Sequence, residues 1–245
     1  MSLPTIVTFW HGPLSWLERL SAASFVSRGH RVEVYSYEPV EGLPAGAVMR
    51  DAAEILPRDK LVFYKGRGTP GVFSDYFRMS LMRAGRGIWA DLDVYCIRPI
   101  SDPPPYLFGY ERDGSVNGAV LLIPADAPIL ADLLSVFTKT ERPLIEPHLP
   151  PFRRLEVAAK RLLGMKVAPE YMQYGATGPF ALTYYVARHG LERFIQPREV
   201  FYPLAYEDVP RLMQPGSRIE DAVTDKTLAV HIWRSQLTDR GRAGM

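Results

Sequence analysis

Within its first 36 residues the chain passes from an apolar segment at 6–10, through a polar turn and a helical stretch at 14–28, to a second apolar segment at 31–36. No other feature restricts the fold so strongly. Two strands joined by a helix run parallel, because the helix returns the chain to the edge of the sheet from which it started. Gly29 stands where that helix must stop. A parallel sheet opens its ligand crevice beyond the carboxyl ends of its strands, so Trp10, His11 and Gly12 are expected at that edge.

Residues 37–72 are rich in Pro and Gly and read as loop, with 65–71 tightly turned or mobile and without phosphate-loop spacing. The pattern then predicts a helix over 74–84, closed by Gly85 and Gly87, and a short strand at 88–90 that delivers Asp91-Leu92-Asp93. Strands are expected at 106–110 and 116–123 about a polar turn, and helices at 128–138, at 152–163 and after Gly178-Pro179. A final strand falls at 228–232, and the tail after 236 reads as loose. The reading is one α/β domain over 1–245, with a Rossmann-like, helix-flanked nucleotide-binding half at 1–125 and a closing half at 126–238.

Lys and Arg number 29 against 27 Asp and Glu, so the basic footprint that duplex nucleic acid requires is missing. No nucleic-acid partner is expected. No apolar run reaches the ~18 residues of a transmembrane helix, and no basic-then-apolar leader precedes residues 5–10. Cys96 is the only cysteine, which excludes an internal disulfide and fits a reducing compartment. The expectation is a cytoplasmic protein whose mature chain starts at this point.

In an extended segment residues two apart share a side, so Asp91 and Asp93 are expected to aim both carboxylates at one point. Such a pair suits a hard dication, Mn²⁺ or Mg²⁺, which takes carboxylate oxygens together with substrate phosphates. Asp-x-Asp also arises by chance beside many strands, and its context distinguishes this one. A helix carrying Ser74, Asp75 and Arg78 precedes it, followed by Gly85-Arg86-Gly87 and the strand itself, with sixteen residues from Asp75 to Asp91.

This stretch resembles the sugar-binding region containing the DXD motif of the GT32 glycosyltransferases, and more distantly the glucosylating clostridial toxins. Further matches are Trp10-His11-Gly12 at the first strand end, Asn117-Gly118-Ala119, Thr177-Gly178-Pro179 and His231-Ile232-Trp233. The chain departs from that pattern at Arg86, where the family has a second Gly, and over 139–170, where acceptor-specific structure is expected.

The resemblance implies a GT-A-type mixed sheet. It also implies metal-dependent, configuration-retaining transfer of a hexose from a nucleotide sugar, a UDP-sugar foremost, to a glycan or lipid-linked acceptor, as in polysaccharide biosynthesis. It assigns Asp91, Asp93 and His231 to the metal, and Asp91, Asp93 and Asn117 to the reacting centre. Trp10, His11, Gly12, Asp75, Arg78, Gly178 and Trp233 fall to the donor. Taken without it, Asp75 and Arg78 also read as a helix ion pair, Asn117-Gly118 as a hairpin turn, and His231 and Trp233 as packing residues.

The predicted helix at 152–163 groups Phe152, Leu155, Ala159 and Leu162 on one face and Arg153, Arg154, Lys160 and Arg161 on the other. Its basic face reads either as solvated surface or as a peripheral contact with anionic lipid headgroups. Two other functional classes use the same aspartates. A metal-dependent phosphohydrolase requires further carboxylates around its metal, and a non-catalytic sugar-nucleotide-binding protein requires only the fold.

Overall fold

A computed structural model describes residues 2–65, 68–139 and 143–237 of the protein. In chain order the strands are β1 (Ile6–Phe9), β2 (Val32–Ser36), β3 (Ala47–Asp51), β4 (Ile88–Ala90), β5 (Val94–Cys96), β6 (Leu107–Arg112), β7 (Ser115–Leu122), β8 (Ile195–Gln196) and β9 (Ala229–His231). The helices are α1 (Trp16–Ser27), α2 (Gly71–Arg83), α3 (Pro128–Thr138), α4 (Pro151–Leu162), α5 (Pro179–Arg188) and α6 (Arg198–Phe201).

Seven strands form one sheet in the order β3-β2-β1-β4-β7-β6-β8, and β5 pairs with β9 in a separate ribbon. Strands β3, β2, β1 and β4 are mutually parallel, β7 runs antiparallel to both β4 and β6, and β8 runs parallel to β6. The sheet is therefore mixed through a single reversed strand. Each face carries its own apolar layer. On one side α2, α3 and α5 cover Val7, Phe9, Trp89 and Leu121. On the other, α1, α6 and the β5–β9 ribbon cover Ile6, Val32, Val34, Ile88 and Ala90. Neighbouring residues of β1 and β4 thus feed opposite layers, as the two-residue strand period requires.

Local chemistry sets the boundaries. Ser15 caps α1 in a reciprocal capping box with Glu18, whose carboxylate accepts the Ser15 N–H at 2.6 Å. Helix α2 begins at Gly71, three residues ahead of the predicted start, because the turn after Thr69-Pro70 already has helical geometry. The hairpin between β6 and β7 turns at Asp113-Gly114, where Gly114 takes φ +71° and leaves Asn117 inside β7. Reading Asn117-Gly118 as the turn is thereby corrected.

Strand β3 went unread in the loop assigned to 37–72. It lies at the sheet edge, its residues are half-exposed, and Arg50 is tied to the neighbouring strand through Glu33 at 3.0 Å. Of the segment 65–71, residues 66 and 67 lie outside the described residues, as do residues 238–245 of the tail. Helix α4 reverses the orientation expected of an amphipathic helix. Phe152, Leu155 and Leu162 are exposed, while Val157 is buried and Arg161 turns inward to Glu146 at 2.7 Å. Among the described residues no helix is long and apolar enough to cross a membrane.

Candidate active site

Strand β4 ends at Ala90, and the chain then turns sharply instead of continuing extended. The N–H of Val94 donates to the carbonyl of Asp91 at 3.1 Å, closing a turn over Asp91-Leu92-Asp93. The two carboxylates are brought together by this turn, not by strand alternation as the sequence suggested. Across the antiparallel ribbon Val94 stands opposite His231, and the Ile232 N–H donates to the Asp93 carbonyl at 2.8 Å. That register carries an imidazole from the far end of the chain to the aspartates. Ligand atoms of Asp91, Asp93 and His231 lie within 4.8 Å of one another.

Each aspartate is held differently. Oδ1 of Asp91 accepts from Trp89 Nε1 at 2.7 Å and from Arg78 Nη2 at 3.0 Å. Oδ1 of Asp93 meets His231 Nε2 at 3.2 Å, and its Oδ2 accepts the backbone N–H of Arg234 at 2.8 Å. Burial raises the Asp91 carboxyl above the ordinary carboxylate range in spite of Arg78. Burial also acts on Asp93, but the His231 charge and hydrogen bond outweigh it and hold that carboxyl low. Burial by itself lowers His231, and Asp93 then lifts it above its usual value. Asp93 and His231 thus each favour the charged form of the other across 3.2 Å, with Asp91 the weaker acid beside them.

Arg78 joins the strands to α2. It is 7% exposed, its Nη1 donates to the Gly118 carbonyl at 2.8 Å, and its guanidinium lies 4.9 Å from the centre of the Trp89 ring. Asp75 stands 3.6 Å from Arg78, a longer approach than Asp91 makes, so the helix pair is the lesser of its two ionic contacts. Oδ2 of Asp75 also accepts from Thr177 at 2.7 Å. A Cβ on Gly178 would lie 2.9 Å from both carboxylate oxygens of Asp75, so any side chain there has to displace that carboxylate. The separation of these residues in sequence thus closes in space.

Trp233 has φ 45°, a left-handed conformation uncommon for a bulky residue and characteristic of functional sites. The bend lays its ring 4.5 Å from that of His231 and 6.1 Å from that of Tyr202. It also turns Arg234 so that its guanidinium lies 5.2 Å from the centre of Trp10 and its Nε 3.0 Å from the buried carboxylate of Glu18. Asn117 donates to Glu111 at 2.6 Å, and the Tyr202 hydroxyl reaches its side-chain oxygen at 3.3 Å. The Glu111 charge is felt by both His231 and Tyr202.

Eight of the eleven residues singled out from the sequence belong to this connected network: Trp10, Asp75, Arg78, Asp91, Asp93, Gly178, His231 and Trp233. Asn117 is linked to it through Tyr202. His11 and Gly12 follow Trp10 at the sheet edge, where the His11 ring meets Phe63 at 5.6 Å. Sequence reasoning missed Trp89, Glu111, Tyr202, Arg234 and Glu18. The Ser15-to-Glu18 capping spacing was legible, but nothing in it announces the second contact to Arg234.

The donor set fits a dication: two carboxylates and an imidazole, which are hard oxygen and borderline nitrogen ligands. The buried Nδ1 of His231 has no hydrogen-bond partner among the described residues, an arrangement that costs stability unless a ligand meets it.

No family model matches the chain, and no curated protein matches it. Among solved structures it is similar to the PaToxG glycosyltransferase, with a TM-score of 0.50 and 12% identity over 78% of this chain and 73% of that one. At this identity the likeness concerns architecture. The protein has a mixed α/β fold of GT-A-like type, with the predicted metal-binding residues converging beyond β4.

Proposed function

We propose that this protein is a metal-dependent, configuration-retaining glycosyltransferase, working as one domain, that moves a hexose from a UDP-sugar to a hydroxyl of a glycan or lipid-linked acceptor. The observation that carries the reading is the convergence of Asp91, Asp93 and His231 at the carboxyl end of β4, beside the equivalent end of β1. The GT-A-like fold agrees with it. A ligand crevice belongs at that edge of a parallel sheet.

Asp91, Asp93 and His231 are the residues to hold Mn²⁺ or Mg²⁺, and the imidazole favours manganese. Bound there, the ion offsets negative charge on the departing nucleoside diphosphate. Arg78, buried and bonded to Asp91, positions that carboxylate at the donor end of the site. Asp75, its carboxylate oxygens partly engaged, is placed to accept from hydroxyls of the sugar, with Gly178 giving the backbone room to approach. Trp233 covers the site, and Trp10 with His11 and Gly12 forms the nucleotide end, joined to Asp93 through Arg234.

In the transfer the bond from the anomeric carbon to the diphosphate oxygen breaks, and a bond from that carbon to the acceptor oxygen forms. On the same face of the sugar the departing diphosphate oxygen takes the acceptor proton, and nucleoside diphosphate is released. Asn117 serves the reacting centre, and Glu111, which accepts from it at 2.6 Å, is the further carboxylate nearest that residue and a candidate that the sequence did not nominate.

Release of nucleoside diphosphate from UDP-hexoses, with and without Mn²⁺, tests the proposal. Manganese-dependent release that disappears in Asp91→Asn supports it. Release of inorganic phosphate identifies a phosphohydrolase, and binding without turnover identifies a sugar-nucleotide-binding protein.

A further inference from the structure

Helix α4 wears its amphipathicity inside out. Phe152, Leu155 and Leu162 are 73%, 71% and 74% exposed, and their spacing with Ala159 places them on one helical face. Leu163, at 79%, and Met165, at 53%, extend that face past the last turn. The inward side holds only Val157, which enters a small apolar cluster with Leu149, Val167, Met172 and Ala176. Arg161 anchors the helix by donating to the Pro143 carbonyl and pairing with Glu146. The same contacts bring Leu144 and Ile145, 47% and 54% exposed, beside the end of the helix.

A helix designed only for solvation places such residues inward. Here several large apolar side chains stand exposed together, the mark of a surface that meets an apolar partner. The shoulders of this face are basic. Over residues 150–166 the chain carries Arg153, Arg154, Lys160, Arg161 and Lys166 against Glu156 as the sole acid. Glu156 is shared by Arg153 and Lys160, and Arg161 is matched by Glu146 from outside the segment. Positive charge therefore remains around a face of Phe and Leu, complementary to anionic headgroups above an acyl layer.

We propose that α4 docks the protein on anionic membranes, with Phe152, Leu155, Leu162 and Leu163 entering the headgroup boundary and the basic shoulders meeting lipid phosphates. The helix does not cross the bilayer. Its apolar face, which the sequence pattern had assigned inward, is the membrane contact, and the basic residues assist. Arg153 donates to Gln173 at 2.7 Å, and the chain from Gln173 continues within a few residues to Thr177 and Gly178 against Asp75. Docking through α4 consequently fixes the orientation of the candidate site to the membrane. The inference does not depend on the transferase reading, since lipid binding is measured without donor or acceptor.

The test is co-sedimentation of the full chain with phosphatidylcholine vesicles, with and without phosphatidylglycerol. The wild type is expected to bind the phosphatidylglycerol vesicles, less tightly as salt rises. The combined substitution Phe152→Ser, Leu155→Gln and Leu162→Gln is expected to lower binding at least about tenfold, while Lys166→Glu lowers it only at low salt. In an otherwise unaltered chain, Phe152→Trp should shift its emission to the blue on these vesicles, which keeps the test decisive even if the triple variant folds poorly. Absence of wild-type binding at low salt, undiminished binding by a folded triple variant, or a Phe152→Trp spectrum that vesicles leave unchanged overturns the proposal. A wild-type dimer that the triple variant converts to monomer, without vesicle binding, assigns the face to a second copy and equally overturns it.

Discussion

Nε2 of His231 stands 3.2 Å from Oδ1 of Asp93, brought there by the antiparallel ribbon that sets Val94 opposite His231. A cation takes the imidazole in its neutral form, so metal binding competes with protonation of His231. Asp93→Asn preserves volume but removes the charged oxygen. Titration calorimetry with Mn²⁺ alone should show affinity falling by at least about tenfold, the least that losing even an outer-shell partner of a metal ligand costs. Unchanged affinity excludes Asp93 as a ligand.

Arg78 bridges α2, β7 and Asp91 in a buried setting, so its loss strands Asp91 as well as removing a donor to Gly118. Arg78→Met is expected to destabilise the protein by about 3–5 kcal/mol, the cost of leaving one partner of a buried pair. Arg78→Lys should recover little of this, because one ammonium cannot reproduce the forked contacts. Urea unfolding midpoints measure both. A midpoint of Arg78→Met close to wild type rules out the bridging role.

Glu111 lies beside Asn117 and within the electrostatic reach of His231. Glu111→Gln keeps an acceptor for Asn117 while deleting the charge. If that charge serves the reaction, kcat for transfer falls at least about tenfold with nucleotide binding intact. Equal kcat, or loss confined to KM, reduces Glu111 to a support for Asn117.

Away from the site, burial tends to raise the Glu33 carboxyl, but Arg50 and Arg31 outweigh it and hold the group below its ordinary value of 4.5. A carboxyl depressed on folding contributes stability above its unfolded pKa and loses it as pH falls through the folded value. Wild type should therefore exceed Glu33→Gln at neutral pH by no more than about 1 kcal/mol, as expected for partly exposed partners. The gap should close on acidification below pH 4.5. A gap that widens in acid contradicts the assigned ion pairs.

Much of this organisation was legible in the chain. The βαβ opening fixed a parallel half-sheet, and strand 88–90 was read correctly because Ile88-Trp89-Ala90 is bounded by Gly87 and Asp91. Strand β3 escaped because Arg50 and Asp51 give an edge strand a polar pattern, and its pairing depends on Glu33 from another strand. The DXD carboxylates were found by type and spacing, although the turn that unites them is set by the Val94 hydrogen bond. Glu111 and Arg234 were invisible for a different reason: only the β6–β7 pairing and the bend at Trp233 carry them to the site. Helix α4 was recognised as amphipathic, but periodicity cannot say which face turns outward.

The central claim is that Asp91, Asp93 and His231 form a metal-dependent nucleotide-sugar site. Thermal unfolding across a panel of nucleotide sugars, in Mn²⁺ and then in chelator, tests it most directly, because a ligand that binds only the native state raises the midpoint. At about a hundredfold excess over Kd the account predicts that at least one nucleotide sugar raises the midpoint by about 5–11 °C in Mn²⁺. The shift should vanish in chelator and in Asp93→Asn. Stabilisation that survives chelation and that substitution, or none from any nucleotide sugar in Mn²⁺, contradicts the claim.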